Sequence, residues 1–292
     1  MKARANGIEI EYETYGDPAN PAILLIMGLG AQLTLWPLPF VEALAKRGYH
    51  VVRYDNRDVG LSTKLESAGR PKLGLMMFQR MLRMKPNVAY RLSDMAADAV
   101  GLLDALKIDK AHIVGASMGG MIAQLVAATY PQRTLSLTSI MSTTGNPALP
   151  RATREAMDVL VNRPKTNDLD ALVAHGIRAA QVTGSPAYPV EPKLLETRVR
   201  ETIARSSYPD GYARQMAAII ADGDRRQRLK AIKAPTVVVH GAADPLVPAE
   251  AGRDTAANIP GAQLVEIPGM GHNLPVELIP QLIAAIESVA KR

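Results

Sequence analysis

The sequence predicts an α/β fold built on a mostly parallel sheet with helices on both faces, and three observations carry that prediction. Short apolar runs recur, at Ala22–Met27, Ala111–Val114 and Pro235–His240, with the near-continuous hydrophobicity of strands covered on both sides. Stretches of helical period lie between them, as crossover connections of a parallel sheet require. One strand-to-helix junction, Gly115-Ala116-Ser117-Met118-Gly119, sets a serine between glycines. That is the pattern of a nucleophile elbow, where a sharp bend thrusts the hydroxyl outward and residues without Cβ let strand and helix close in.

The elements follow in order. Ile8–Glu13 alternates apolar and polar residues and is expected as an edge strand with one wet face. After the strand at Ala22–Met27, a helix is expected over Pro39–Arg47 and a strand at His50–Tyr54. Ser93–Leu106 has helical spacing in Met95, Val100, Leu103 and Leu106, with Ser93 as its N-cap. The serine junction follows, its helix running to Ala128 and stopped by Tyr130-Pro131. Strands are expected at Thr134–Ile140, at Pro235–His240 and, after a further helix, at Gln263–Ile267. Pro275–Ala290 reads as the closing helix.

Two stretches break the alternation. Residues 142–231 contain no strand-like run but several amphipathic segments, such as Leu169, Leu172, Val173 and Ile177, punctuated by prolines. They are expected as a helical cap inserted over the carboxyl ends of the strands, with 1–141 and 232–292 forming the core. The second stretch, Lys64–Arg91, is dense in Met and Leu between Leu73 and Met84. Ordinary packing is the simpler reading, and a soft apolar wall for acyl or ring groups is the other.

A chain of 292 residues with 47% hydrophobic and 21% charged residues builds a sizeable core. It has no cysteine, which excludes disulfides, thiolate metal sites and a cysteine nucleophile. The formal net charge of +6 invites a nucleic-acid reading, but the arginines are interleaved with acids, as in Arg198-Val199-Arg200-Glu201, and aromatics are 4%. Binding to nucleic acid calls for a clustered basic stripe with stacking rings, so no nucleic-acid partner is expected. No apolar stretch is long enough to span a bilayer, and the first residues lack an apolar signal core. The expectation is a cytoplasmic protein without an integral membrane segment; the sequence does not specify an oligomeric state.

A serine hydroxyl is a weak nucleophile until a base takes its proton, and the base needs a third group to fix its tautomer. Downstream of Ser117, His272 stands in the glycine-rich Pro268-Gly269-Met270-Gly271-His272, after a strand and before the last helix. Ligands meet an open α/β sheet at such carboxyl-end loops. His50 and His112 begin strands, His175 falls in the helical insertion, and His240 ends a strand where it is expected to support the next loop. Asp244 lies in that loop, although Asp-Pro also favours a simple turn; Glu250 and Asp254 are expected in the helix beyond. An oxyanion hole needs backbone N–H donors, each worth about 3 kcal/mol of transition-state stabilisation. Met118, the residue after the serine, is one expected donor, and Leu29 of Gly28-Leu29-Gly30 is the other.

On these residues the chain resembles an α/β-hydrolase fold protein over essentially its whole length. The matching elements are Gly28-Leu29-Gly30, residues Asp55–Ser62, Ser117, Asp244 and Gly271-His272. Met27-Gly28-Leu29-Gly30 with Trp36-Pro37, and Arg53-Tyr54-Asp55-Asn56-Arg57-Asp58, are similar to the aclacinomycin methylesterase-like branch of carboxylic ester hydrolases. The chain has Met27 where a histidine often precedes the oxyanion glycine. The resemblance implies ester hydrolysis through an acyl-enzyme with Ser117, His272 and Asp244, no cofactor, no metal, and a small-molecule ester as partner. Gly28, Gly30 and Trp36 are the candidate substrate-binding residues, and Asp55–Asp58 are expected as loop-ordering ion pairs. A cofactor-free perhydrolase or a carbon–carbon bond hydrolase would use the same three side chains, and a ligand receptor with little turnover could retain them.

Overall fold

The consecutive apolar residues become the inner strands of one sheet. The computed structural model describes residues 1–291 except Arg83, Lys165 and Asn167, with Arg80 described without its side chain. The first half of the chain runs β1 (Lys2–Ala5), β2 (Ile8–Tyr15), β3 (Ala22–Ile26), α1 (Leu38–Lys46), β4 (His50–Tyr54), α2 (Leu73–Met81), α3 (Leu92–Ala105), β5 (Ala111–Ala116), α4 (Met118–Thr129) and β6 (Thr134–Ile140). It continues α5 (Arg154–Val161), α6 (Leu169–Thr183), α7 (Pro192–Arg205), α8 (Pro209–Asp222), α9 (Arg226–Leu229), β7 (Thr236–Gly241), α10 (Ala249–Asn258), β8 (Gln263–Ile267) and α11 (Ile279–Ala290). Among the described residues the sheet has eight strands in the order β1-β2-β4-β3-β5-β6-β7-β8. The pairs from β4 to β8 are parallel, while β1–β2 and β2–β4 are antiparallel.

Alternate residues of each inner strand feed opposite faces. Leu24 and Ile26 of β3 join Leu92, Met95, Leu103, Ile122 and Val126 of α3 and α4 on one side. Ile23 and Leu25 join Phe40, Leu44, Leu282 and Ile286 of α1 and α11 on the other. Each such side chain contributes about 1.5–3 kcal/mol on burial, so a strand apolar at every position is the stable choice between two helical layers.

Several expectations change in detail. Ile8–Glu13 is not an edge strand, because Lys2–Ala5 pairs outside it as β1. Ser93 does not cap α3: the helix begins one residue earlier, and Asp94 accepts the Arg91 N–H at 2.7 Å to close its first turn. Within the Met- and Leu-rich stretch, Met76 packs inward, but Met77, Phe78 and Met81 of α2 are 63%, 53% and 71% exposed. Packing therefore does not account for most of it.

Helices α5 to α9 are inserted between β6 and β7. Two ion pairs tie them to the loop after β4: the Arg214 guanidinium of α8 donates to both oxygens of Asp58 at 2.8 and 2.9 Å, and Arg205 of α7 donates to Asp55 at 2.8 Å. In the first pair both side chains are almost fully buried. Arg57 completes the loop by donating to both oxygens of Asp98 on α3.

Candidate active site

Ser117 joins β5 to α4 with φ +56° and ψ −121°, a region that side-chain-bearing residues adopt only under constraint, at a cost on the order of 1–3 kcal/mol. The surroundings impose it. Ser117 N–H donates to the Ile140 carbonyl at 2.9 Å, and the Ser142 hydroxyl donates to the Ser117 carbonyl at 2.8 Å. A Cβ on Gly119 would come within 2.0 Å of the Ile26 carbonyl oxygen, and one on Gly115 within 2.1 Å of that of Gly119. Both glycines are thus fixed by the approach of β3, β5 and α4, and the serine between them has no other path.

Asp244, in the loop after β7, accepts the Leu246 and Val247 N–H groups on Oδ1 at 2.9 and 2.8 Å. Its Oδ2 lies 2.7 Å from His272 Nδ1. The carboxylate can only accept here, so Nδ1 carries the proton and Nε2 presents a lone pair. Ser117 Oγ lies 2.9 Å from that Nε2 and is its donor. Asp244 and His272 are nearly buried while Ser117 is partly open. The three side chains, which come from the ends of β5, β7 and β8, form one line of hydrogen bonds. The alternative acids stay outside it: Glu250 and Asp254 fall in α10.

The residues that hold this line are less visible in the sequence. His240 is fully buried; its Nε2–H donates to the Val247 carbonyl at 2.7 Å, bracing the turn that grips Asp244. Burial pushes the His240 imidazole below its ordinary range, opposed by the Val247 carbonyl and the Asp244 charge, so it is neutral. From the inserted helices, the Thr183 carbonyl accepts the His272 N–H at 2.7 Å and the Ser185 hydroxyl accepts the Gly271 N–H at 2.8 Å. Gln215 of α8, with no exposed surface, accepts the Gly30 N–H at 2.7 Å and donates to the Arg57 carbonyl at 2.7 Å. Gln32 donates to the Thr202 and Ser206 carbonyls around the end of α7. The loop after β3 is therefore held from above by the insertion.

That loop is the second wall. Gly28 faces the serine, since a Cβ there would lie 3.1 Å from Ser117 Cβ. Gly30 N–H is taken by Gln215, whereas among the described residues neither Leu29 N–H nor Met118 N–H has an acceptor. At Gly30, φ is +65° and a Cβ would lie 2.4 Å from the Tyr212 ring, which places the residue against α8. Trp36 is a correction: its ring is wholly buried in the core and stacked on Phe40 of α1, so it presents no open surface to a substrate. A cavity of about 320 Å³, lined by Met77, Met121, Ile219, Ile220 and Arg225 among others, includes none of Ser117, Asp244 and His272.

A strand-ordered sheet, a serine at a strained strand-to-helix turn and a histidine–aspartate pair from later loops define a hydrolase of the α/β type. The sequence profile of the alpha/beta hydrolase fold matches residues 21–277, and the chain belongs to that family. Rhodomycin D methylesterase of a Streptomyces species is 31% identical, over 94% of this chain and 92% of its own. A 2-hydroxy-6-oxononadienedioate/2-hydroxy-6-oxononatrienedioate hydrolase of Burkholderia vietnamiensis is 27% identical, over 91% of this chain and 85% of its own. Among solved structures, the enol-lactonase from Burkholderia xenovorans superposes with a TM-score of 0.71 at 25% identity, covering 100% of this chain and 98% of that one. The chain is a hydrolase on the carboxylic-ester branch of the fold. Among the described residues no helix is long and apolar enough to cross a membrane.

Proposed function

We propose that the protein cleaves carboxylic esters of small molecules through an acyl-enzyme on Ser117, with residues 142–231 acting as a cap on the core formed by 1–141 and 232–292. The observation that carries the reading is the unbroken line Asp244–His272–Ser117 at 2.7 and 2.9 Å, beside two N–H groups that have no acceptor among the described residues. Ser117 Oγ attacks the ester carbonyl as His272 Nε2 takes its proton, and Asp244 supports the imidazolium. Leu29 and Met118 N–H groups receive the oxyanion. The intermediate collapses as His272 protonates the departing alcohol. Water, deprotonated by His272, then releases the acid and restores the serine.

Kinship with a methylesterase favours methyl esters of bulky acids as substrates. Kinship with a 2-hydroxy-6-oxo dienedioate hydrolase supports a second reading, in which the same groups cleave a carbon–carbon bond beside a ketone. A panel of p-nitrophenyl esters from acetate to palmitate, with methyl esters of aromatic acids and a 2-hydroxy-6-oxo dienoate, separates them. Ester turnover should dominate, and Ser117→Ala should lower it by about 10⁴-fold or more. Near-normal ester turnover in that variant would exclude the serine mechanism.

A further inference from the structure

The surplus of positive charge on this molecule is not spread over it. The chain carries 34 Lys and Arg against 28 Asp and Glu. Residues 67–93 hold Arg70, Lys72, Arg80, Arg83, Lys85 and Arg91 and no acid, so the remainder of the chain is balanced. The same segment carries the densest exposed apolar surface: Leu75, Met77, Phe78, Met81, Leu82 and Met84 are each more than half exposed. On α2, Met76 points into the protein and the helix packs against α8. Phe78 and Met81, at i and i+3, form a stripe on the far side, while Met77 borders the cavity against α8 and is still 63% exposed. A soluble surface helix keeps large apolar residues off its outer face, whereas α2 exposes Leu75, Phe78 and Met81.

We propose that α2 and its flanking residues dock the enzyme on an anionic lipid surface, the Met, Phe and Leu side chains entering the headgroup boundary while the cations bracketing the helix meet lipid phosphates. The pairing of an apolar stripe with bracketing cations is what an interfacial helix needs, and its binding is the sum of the two contributions. Lys72, Lys85 and Arg91 are exposed, and Arg70 makes a weak surface pair with exposed Asp210 at 3.7 Å. A second copy of this chain is the poorer occupant, because a symmetric contact would set the same acid-free segment against itself. Docking through α2 would turn α8, which carries Tyr212 and Gln215 beside the serine loop, towards the bilayer.

The test is co-sedimentation of the full chain with vesicles of phosphatidylglycerol and, separately, of phosphatidylcholine. Binding is expected to phosphatidylglycerol, at least about tenfold weaker to phosphatidylcholine or at high salt. Phe78→Asp with Met81→Asp should lose about tenfold or more while unfolding cooperatively at an unchanged midpoint. Should that pair fail to fold, Lys72→Glu with Lys85→Glu, on exposed side chains, is expected to give the same loss. Absence of wild-type binding to phosphatidylglycerol, or equal binding by the folded variants, would overturn the proposal. So would a concentration-dependent dimer that Phe78→Asp with Met81→Asp abolishes, since the face would then belong to a second copy.

Discussion

Ser117 is held in a strained backbone conformation by neighbours that cannot yield: Gly119 lies against the Ile26 carbonyl and Ser142 secures the serine's own carbonyl. Gly119→Ala would drive a methyl into backbone, and a loss of about 1–3 kcal/mol or more is expected in the denaturant midpoint. Gln215 acts one step further out. It ties Gly30 N–H to the Arg57 carbonyl and so braces the loop that carries Leu29, the proposed oxyanion donor. Gln215→Leu should lower kcat about tenfold in steady-state kinetics with little change in KM, because an oxyanion donor acts mainly in the transition state; Gln215→Glu, which keeps the acceptor, should retain more. The glycine–serine pattern was legible because steric need writes it into adjacent residues. Gln215 was not, because nothing local distinguishes a glutamine on a buried helix face from its neighbours. Trp36 misled for a related reason: its place in the chain is near the serine loop, but its ring turns into the core.

The inner strands were readable because burial on both faces demands apolar residues at every position, as in Ala22–Ile26. Lys2–Ala5 was missed as a strand because two charged residues break its pattern and only pairing with β2 reveals it. Asp55–Asp58 was recognisable as a cluster of ion-pair formers, yet the partner of Asp58 lies 156 positions away on α8. That pair has both charges buried, so removing one leaves the other stranded. Arg214→Ala should cost about 3–5 kcal/mol in urea or thermal unfolding, with Arg214→Lys intermediate because the two-pronged contact is lost. Helix α2 shows the limit of periodicity: Met and Leu at helical spacing look alike whether they face a core or open space.

At the scale of the whole molecule, burial keeps His112 and His240 below the ordinary imidazole range. The unfolded chain therefore binds more protons than the folded one below that range, and stability falls as pH drops through it. The urea midpoint should be level from neutral pH upward and decline below about pH 6.5. Burial pulls the Asp58 carboxyl upward, but the Arg214 guanidinium, the Leu65 N–H and the Tyr90 hydroxyl together outweigh it and hold Asp58 below the usual range, so a second loss follows only in stronger acid. The fold also gathers the ends of β5, β7 and β8 at one rim, and in the proposed mechanism this convergence activates Ser117. Reaction with a fluorophosphonate, followed by intact mass and peptide mapping, tests it most directly. A single adduct on Ser117 is expected, formed far more slowly in His272→Ala and Asp244→Ala; equal labelling rates in those variants, or an adduct on another residue, would rule that activation out.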